Sequence, residues 1–426
     1  GAVAGWPHSS FTAPLSMPQN SLAAVGSGEK AFSVHEWGVF TAPRDTEWLN
    51  YDMTREWSLL PSSFYRNPLL TRNRSYSYWN LAPALKPVIH IHGDPNEKVE
   101  VQITFANGVP AVWWPDASLK PAAAKIGGQL SNSIAFRLSV IKDVSNPSDQ
   151  NSSPDLRKPR AGKTKSGTEW INVLREVKAS KLAVENQQMP ALAESTNFLY
   201  YDGLLKAKPT PLVERLGKDI RIRMNNSTRF HDLMVIERRS GVLLAASEWH
   251  DYQDSKRGGK RNELVIELKR TTPEELTRIK TEFLRRLERA GLNADESAAL
   301  LAIWDQGLFQ SEGMTIFYRM PQDEYNKMLP IRVTPRPDSV VRIGLVLHQR
   351  MEPELSSTLN LLIRHLNSNN MQNHDFAVKE LSLIGGAALS SLRECVKQSP
   401  TAVNACSSLL DKLEEVPNRL LESKSF

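Results

Sequence analysis

Hydrophobic and polar residues alternate one by one in the best-defined stretch of the first half of the chain. From Val99 to Phe105 every second residue is apolar, and the residues between them are polar. A period of two is typical of a strand with one buried face. Asn107-Gly108 follows, which is the strongest short signal for a hairpin turn. The pattern therefore predicts a strand over Glu97–Phe105 that returns as a partner strand over Val109–Trp114.

Similar apolar runs between turn residues predict further strands up to residue 350. Pro110 has no backbone N–H, so we expect it at a sheet edge or a bulge. The number of strands favours a β-sandwich or two packed sheets. The expected fold class is therefore α+β: an antiparallel β-sandwich-like body over residues 31–350, with inserted helices, and an all-α C-terminal segment over 351–426. The other predicted strands are Ser33–Thr41, Pro87–His92, Ile134–Val140, Trp170–Leu174, Asn197–Leu204, Asp219–Met224, Leu233–Arg238, Val242–Ser247, Glu263–Lys269, Met314–Tyr318 and Ser339–Leu347.

The β pattern is interrupted by a helical insertion at residues 272–305. Thr272, followed by proline and by glutamate at position 275, forms a capping box, and Gly291 ends the helix. Asn293 caps a second helix that runs through Trp304, with Glu296 in the matching capping position.

The last part of the chain, from Glu354 onward, has helical spacing throughout. It resembles a HEAT-type helical repeat, in which paired helices bury their faces by stacking on a neighbour. One repeat is too few for a solenoid. The segment must therefore pack on the β-domain, on itself as a small bundle, or on another protein. The resemblance rests on Phe376-Ala377-Val378, Leu381, Leu383-Ile384-Gly385, Ala388-Leu389 and Leu392-Arg393.

A second resemblance concerns residues 35–41 (HEWGVFT), which match the signature of an uncharacterised family of large exported bacterial proteins. This resemblance implies that the strand opens the folded domain, and it implies no particular activity. The last strand departs from the family pattern through the histidine at position 348. Further landmarks of the family are Ala290-Gly291-Leu292, Ile303-Trp304, Gly313-Met314, Met320-Pro321 and Leu329-Pro330.

Charge and composition indicate which kinds of molecule the protein is expected to bind and where it is expected to be located. A net charge of +6 is small for 426 residues, and the basic clusters at 157–165 and 256–261 are short, so nucleic-acid binding is not predicted. No run of eighteen apolar residues predicts a transmembrane segment. The Ala-, Ser-, Pro- and Gly-rich residues 1–30 are expected to form an arm left after signal-peptide removal, and residues 145–168 a mobile loop. The expected location is periplasmic or extracellular.

The two cysteines, Cys395 and Cys406, are eleven positions apart around Pro400. If they lie on two helices of one hairpin, at equal distance from the turn, their side chains can meet in a disulfide. Two buried free thiols are the alternative, because free cysteine packs as a small apolar residue.

His90-Ile91-His92 is the clearest candidate for chemistry. Residues two apart on a strand project from one face, so both imidazoles can reach one ion, as in many zinc and copper sites. We expect the third ligand to be His35 or Glu36 on a neighbouring strand, and Asp94 is also close in sequence. The alternative is that the two rings are half-exposed on a polar face. The predicted metal ligands are therefore His35, His90 and His92, with Zn²⁺ or Cu²⁺ as the ion.

His35 and Glu36 are expected to project from opposite faces of their strand, so the two cannot serve one site without a bulge. One is expected to be buried and hydrogen-bonded while the other faces solvent. A structural role is favoured for this motif, with Trp37 in the core and Gly38 allowing close backbone approach.

Exposed aromatic residues are a separate candidate for binding. Trp113 and Trp114 on an edge strand could stack against a sugar or a peptide, and Trp249 and His250 lie together at a strand end. Catalytic nucleophile motifs and glycine-rich phosphate loops are absent from the sequence.

These patterns favour an exported, non-enzymatic scaffold or binding subunit of a cell-envelope or extracellular protein assembly. In this hypothesis the helical segment contacts other proteins. The second hypothesis is a metal-dependent hydrolase or oxidoreductase that uses the His-x-His pair. The third is carbohydrate or peptide binding through exposed tryptophans.

Overall fold

The computed structural model describes most of the chain from residue 32 to residue 414. The predicted arm at 1–30, the predicted loop at 145–168, both basic clusters and Asn107 lie outside the described residues. The described ranges are 32–41, 60–67, 81–106, 108–120, 132–141, 169–186, 193–206, 211–224, 228–251, 263–351, 353, 355–384, 388–398 and 403–414.

Strands occupy most of the described chain up to residue 351, with four helices between them, and four further helices follow after residue 351. The predicted α+β class is therefore confirmed. The strands are β1 (Phe32–Thr41), β2 (Tyr65–Arg66), β3 (Leu81–Gly93), β4 (Val99–Thr104), β5 (Gly108–Trp114), β6 (Ser118–Lys120), β7 (Ser133–Val140), β8 (Leu182–Glu185), β9 (Ala193–Thr196), β10 (Leu199–Lys206), β11 (Leu212–Leu216), β12 (Asp219–Arg223), β13 (His231–Arg239), β14 (Val242–Ala246), β15 (Glu263–Glu267), β16 (Lys269–Arg270), β17 (Gly313–Met320), β18 (Ile331–Thr334) and β19 (Ser339–Met351). The helices are α1 (Trp170–Glu176), α2 (Pro273–Arg289), α3 (Ala294–Phe309), α4 (Gln322–Met328), α5 (Leu355–Leu366), α6 (Met371–Ile384), α7 (Leu389–Gln398) and α8 (Val403–Glu414).

A ten-stranded sheet forms the centre of the β-rich part, in the order β16-β14-β13-β17-β19-β1-β3-β10-β5-β2. Neighbouring strands are antiparallel except for β1 and β19, which are parallel. One face of this sheet shares a hydrophobic core with the six-stranded and three-stranded sheets. The other face shares a second core with α1, α2 and α3. Strand β1 is therefore covered on both sides.

The predicted hairpin between β4 and β5 is wrong. Strand β4 pairs with β7 and β18 in the six-stranded sheet, whereas β5 pairs with β10 and β2 in the ten-stranded sheet. Gly108 serves a close strand contact, because a Cβ there would lie 2.0 Å from the carbonyl oxygen of Leu204 on β10. Pro110 lies at a register shift between β5 and β10, as predicted.

The predicted strand at 170–174 is also wrong, because these residues form the start of α1. Trp170, Ile171 and Leu174 are all buried. Their spacing places them on one side of a helix, whereas a strand would divide them between its two faces.

The helical insertion follows its predicted caps. The Thr272 backbone N–H donates to Glu275 Oε2 at 2.7 Å, and the Glu275 N–H donates to Thr272 Oγ1 at 3.2 Å. Gly291 has a φ of +115°, in the left-handed region that favours glycine. Helix α3 then begins after Asn293.

The C-terminal helices α5 to α8 share a hydrophobic core of their own, and Leu212 of β11 packs against it. A disulfide joins Cys395 on α7 to Cys406 on α8. Among the described residues, no helix combines the length and the apolar character that a membrane crossing requires.

Candidate metal centre

The pairing of β1 with β3 brings three histidines to one face of the sheet. His35 lies directly opposite His90, and Ser33 lies opposite His92. Directly opposite residues of an antiparallel pair project from the same face, and His92 shares that face with His90 because the two are two positions apart. This is the face that α3 covers.

Glu296 from the first turn of α3 reaches these histidines. Its Oε2 accepts a hydrogen bond from His35 Nδ1 at 2.8 Å, and its Oε1 contacts His92 Nε2 at 2.9 Å. One ligand atom from each of the three residues lies within 4.8 Å of the others. His35 and Glu296 are buried, whereas 17% of the His92 side chain is exposed. Two imidazoles and a carboxylate from three elements therefore converge at one point near the surface.

Two local features place Glu296 above β1. A Cβ on Gly291 would lie 3.0 Å from Cγ1 of Val341, which is the β19 partner of His35. This glycine therefore allows the turn between α2 and α3 to pack closely beside His35. The backbone N–H of Asn293 donates to Glu296 Oε2 at 2.8 Å, so the helix cap also orients the carboxylate.

Glu296 is held in its ionised form. Burial alone would raise the pKa of its carboxyl group, but hydrogen bonds from His35, His92 and the Asn293 backbone lower that pKa to about 2. The ionised carboxylate is the form that ligates a metal ion.

His90 lies under this cluster and is completely buried. Among the described residues, neither of its ring nitrogens has a hydrogen-bond partner. Its Nδ1 lies 3.7 Å from Glu296 Oε1, and its ring stacks on Trp37 with centroids 6.2 Å apart. Burial lowers the pKa of His90 to about 4, so the ring is neutral near pH 7.

The structure thus brings His35 and His92 together, as the metal-site hypothesis expects, and adds Glu296. The sequence pattern predicted only a capping role for Glu296, because a glutamate three residues after the N-cap normally accepts a hydrogen bond from the backbone of the cap residue. Glu36 is not available as a third ligand, since it projects from the opposite face. Asp94 accepts a hydrogen bond from the Asn96 N–H and is not part of this three-residue cluster.

Glu36 belongs to a second, completely buried cluster on the other face of β1. Its Oε2 accepts a hydrogen bond from Arg342 Nε at 2.7 Å, and its Oε1 accepts from the hydroxyls of Tyr325, at 2.8 Å, and Tyr201. Burial raises the pKa of both tyrosines, so they remain donors. The expectation that either His35 or Glu36 faces solvent is wrong, because both are buried between layers of the fold.

The predicted exposure of Trp113 and Trp114 is wrong, because both side chains are buried, with exposed fractions of 4% and 5%. Strand β5 lies between β10 and β2 and is covered on both faces. Trp114 stacks on Phe64 with centroids 5.6 Å apart. Neither ring is free to stack on a sugar or a peptide.

Trp249 and His250 lie beside α2. The Trp249 ring stacks on Phe283 at 5.8 Å, and the Arg286 guanidinium lies 5.1 Å from its centroid. His250 pairs through its backbone with Leu233, at 2.7 and 3.0 Å. A binding role for these two residues stays a prediction.

Comparisons with known proteins do not assign this cluster. No protein-family model matches the chain, and no curated protein matches it either. The resemblances to an exported bacterial family and to a HEAT-type repeat therefore stay predictions.

Proposed function

We propose that this protein binds one divalent transition-metal ion through His35, His92 and Glu296, and that Zn²⁺ is the ion that fits best. The observation that carries the proposal is the convergence of three ligand-type side chains from β1, β3 and α3. Imidazole nitrogen with carboxylate oxygen is a ligand set that zinc accepts readily, and copper is the second choice.

The geometry is close to that of a bound ion. Ligand atoms around a tetrahedral zinc ion are about 3.3 Å apart, given bonds of about 2.0–2.1 Å. The two histidine nitrogens lie 2.8 and 2.9 Å from the Glu296 oxygens. These two contacts are to different oxygens of Glu296, so the three side chains must adjust until their ligand atoms, which lie within 4.8 Å of one another, surround one ion.

The test is metal analysis of the full chain after loading with Zn²⁺ and removal of unbound ion. We expect about one equivalent in the wild-type protein and a loss of binding in His35→Ala, His92→Ala and Glu296→Gln. Glutamine also serves in a capping box, so Glu296→Gln removes the ligand while it preserves the helix start. His374→Ala, in the C-terminal helices, is the matched control. Less than a tenth of an equivalent in the wild type would refute the proposal.

The occupant of the fourth position decides how such an ion is used. Water in that position makes zinc catalytic, as the hypothesis of a metal-dependent hydrolase requires, whereas a fourth protein ligand makes it structural.

A second candidate function is that of a scaffold subunit in a protein assembly, and it is compatible with the first. It is supported by α6, where Met371 is 73% exposed and Phe376 is 52% exposed. Five positions on a helix correspond to about 140°, so the two side chains point in different directions, and each offers a separate apolar contact to a partner. If this candidate is right, Met371→Glu with Phe376→Glu will abolish any higher-mass species that the full chain forms in light scattering. A wild-type chain that stays monomeric and binds nothing would contradict it.

We propose a periplasmic or extracellular location on the basis of the disulfide between Cys395 and Cys406. Disulfides persist mainly in oxidising compartments. Protein alkylated at the moment of cell lysis should carry no label at either cysteine until it is reduced. Full labelling without reduction would contradict this location.

A further inference from the structure

We infer that His90 is a fourth protein ligand of the proposed metal centre, which then consists of three imidazoles and one carboxylate. This inference rests on the proposed function, since it concerns the same ion. It is carried by the position of the His90 ring and by the lack of any other partner for it within the described residues.

The distance from His90 to Glu296 is that of two ligands on one ion. His90 Nδ1 lies 3.7 Å from Glu296 Oε1, which is too long for a hydrogen bond. Two atoms bonded to the same zinc ion are about 3 to 4 Å apart, depending on the bond angle. His35 and His92 are within hydrogen-bond distance of the carboxylate, whereas His90 Nδ1 is at ligand spacing from Glu296 but lies outside the group of ligand atoms within 4.8 Å of one another.

The surroundings of His90 also point to an ion. Neither ring nitrogen has a hydrogen-bond partner in the described part of the chain, and the side chain is completely buried. Buried polar groups are nearly always satisfied. His348 is a second fully buried imidazole without a hydrogen-bond partner among the described residues, so the feature that distinguishes His90 is the Glu296 carboxylate 3.7 Å from its Nδ1. An apolar side chain at this position would leave no unsatisfied nitrogen, so the imidazole of His90 is the costlier choice unless it has a polar partner.

The backbone presents His90 to the cluster without rearrangement. It pairs directly with His35 across β1 and β3, and Trp37 stacks against its ring. Both contacts restrict the ring to the side of the sheet where Glu296 lies. For His90 to join the ion, the His90 ring and the Glu296 carboxylate must move towards His35 and His92, because His90 is not among the ligand atoms that lie within 4.8 Å of one another.

A fourth protein ligand changes what the centre does. A tetrahedral zinc ion bound by His35, His90, His92 and Glu296 has no position left for water, so it is structural. It would connect the start of α3 to β1 and β3, the two paired strands that carry the histidines. Catalysis at this centre would then require a metal that accepts five or six ligands.

The experiment counts the imidazoles on the ion. Full-length protein is loaded with one equivalent of Cu²⁺ as the probe, and pulsed electron paramagnetic resonance resolves the coordinated nitrogens. We expect three imidazoles in the wild type and two in His90→Phe, with Zn²⁺ affinity at least about tenfold weaker in the variant. His348→Phe is the matched control, because His348 is also fully buried but projects from the opposite face.

Each outcome decides between the two proposals. Two imidazoles in both the wild type and His90→Phe would overturn the role of His90 while leaving the proposed metal centre intact. Failure of the wild type to bind either metal would overturn both. A folded His90→Phe variant, checked by circular dichroism and thermal unfolding, separates loss of a ligand from loss of structure.

Discussion

Two carboxylates are buried on opposite faces of β1, and they differ in what surrounds them. Glu296 meets imidazoles, and one of these, His92, is partly exposed. Glu36 meets the guanidinium of Arg342 and two tyrosine hydroxyls, all without access to solvent. A guanidinium has no lone pair for a metal and already balances the charge. Imidazoles can exchange their hydrogen bonds for metal bonds. The partner of a buried carboxylate, more than its burial, therefore decides between a structural ion pair and a metal centre.

The largest effect is expected from breaking the buried ion pair between Glu36 and Arg342. Arg342→Met should lower the free energy of unfolding by about 3–5 kcal/mol, because it leaves the Glu36 charge buried without its counterion. Urea unfolding of the metal-free protein measures this loss. Arg289→Met is the control, since Arg289 is mostly exposed and its pair with Glu282 should contribute less than about 1 kcal/mol. Equal losses in the two variants would contradict the structural assignment of Glu36 and Arg342.

The second-largest effect distinguishes Glu296 from Glu36 by whether the stabilisation of the fold by zinc depends on it. Free Zn²⁺ at one hundred times its dissociation constant should raise the free energy of unfolding by about 2.7 kcal/mol. This increment should vanish in Glu296→Gln and persist in Glu36→Gln, although the second variant is less stable overall. Thermal unfolding with and without zinc measures both. Loss of the increment in Glu36→Gln alone would reverse the assignment.

His348 provides a third case: a buried imidazole with neither carboxylate nor metal. Burial lowers its pKa to about 3, from an ordinary value of 6.5. Below pH 6.5 the unfolded chain therefore binds a proton that the folded chain does not bind. The folded state retains its full stability above pH 6.5 and loses about 1.4 kcal/mol per pH unit as the pH falls towards 3.

The variant His348→Phe should remove this part of the pH dependence. The measurement is the difference in unfolding free energy between wild type and variant at pH 7.0 and 5.5, in the presence of a chelator. A difference that does not change between the two pH values would show that His348 is protonated in the folded state or accessible to water.

The smallest effect compares the two capping glutamates. Glu275 caps α2 at an exposed position through the Thr272 backbone, whereas Glu296 caps α3 and also meets two histidines. Glu275→Gln should change stability by less than about 0.5 kcal/mol and leave zinc binding unchanged. An effect of Glu275→Gln on zinc affinity would mean that the helical insertion acts on the centre as one unit.

The sequence by itself determined the local features of this protein. Alternation identified β4, the capping residues identified the starts of α2 and α3, and the spacing of His90 and His92 placed both rings on one face. These features depend on backbone geometry over a few residues, so a short pattern is enough to specify them. The sequence alone left His35 and Glu36 as alternatives for the third ligand, because the register between β1 and β3 decides which of them shares that face.

Only the tertiary structure decided which distant residues meet. Glu296 is 261 positions from His35 and 204 from His92, and its arrival above β1 depends on how α2 and α3 pack on the sheet. The same packing buries Trp113 and Trp114 and sends β4 and β5 into different sheets. Local pattern sets the faces of each strand and helix, but the layer that covers each face is chosen by burial of apolar surface over the whole fold.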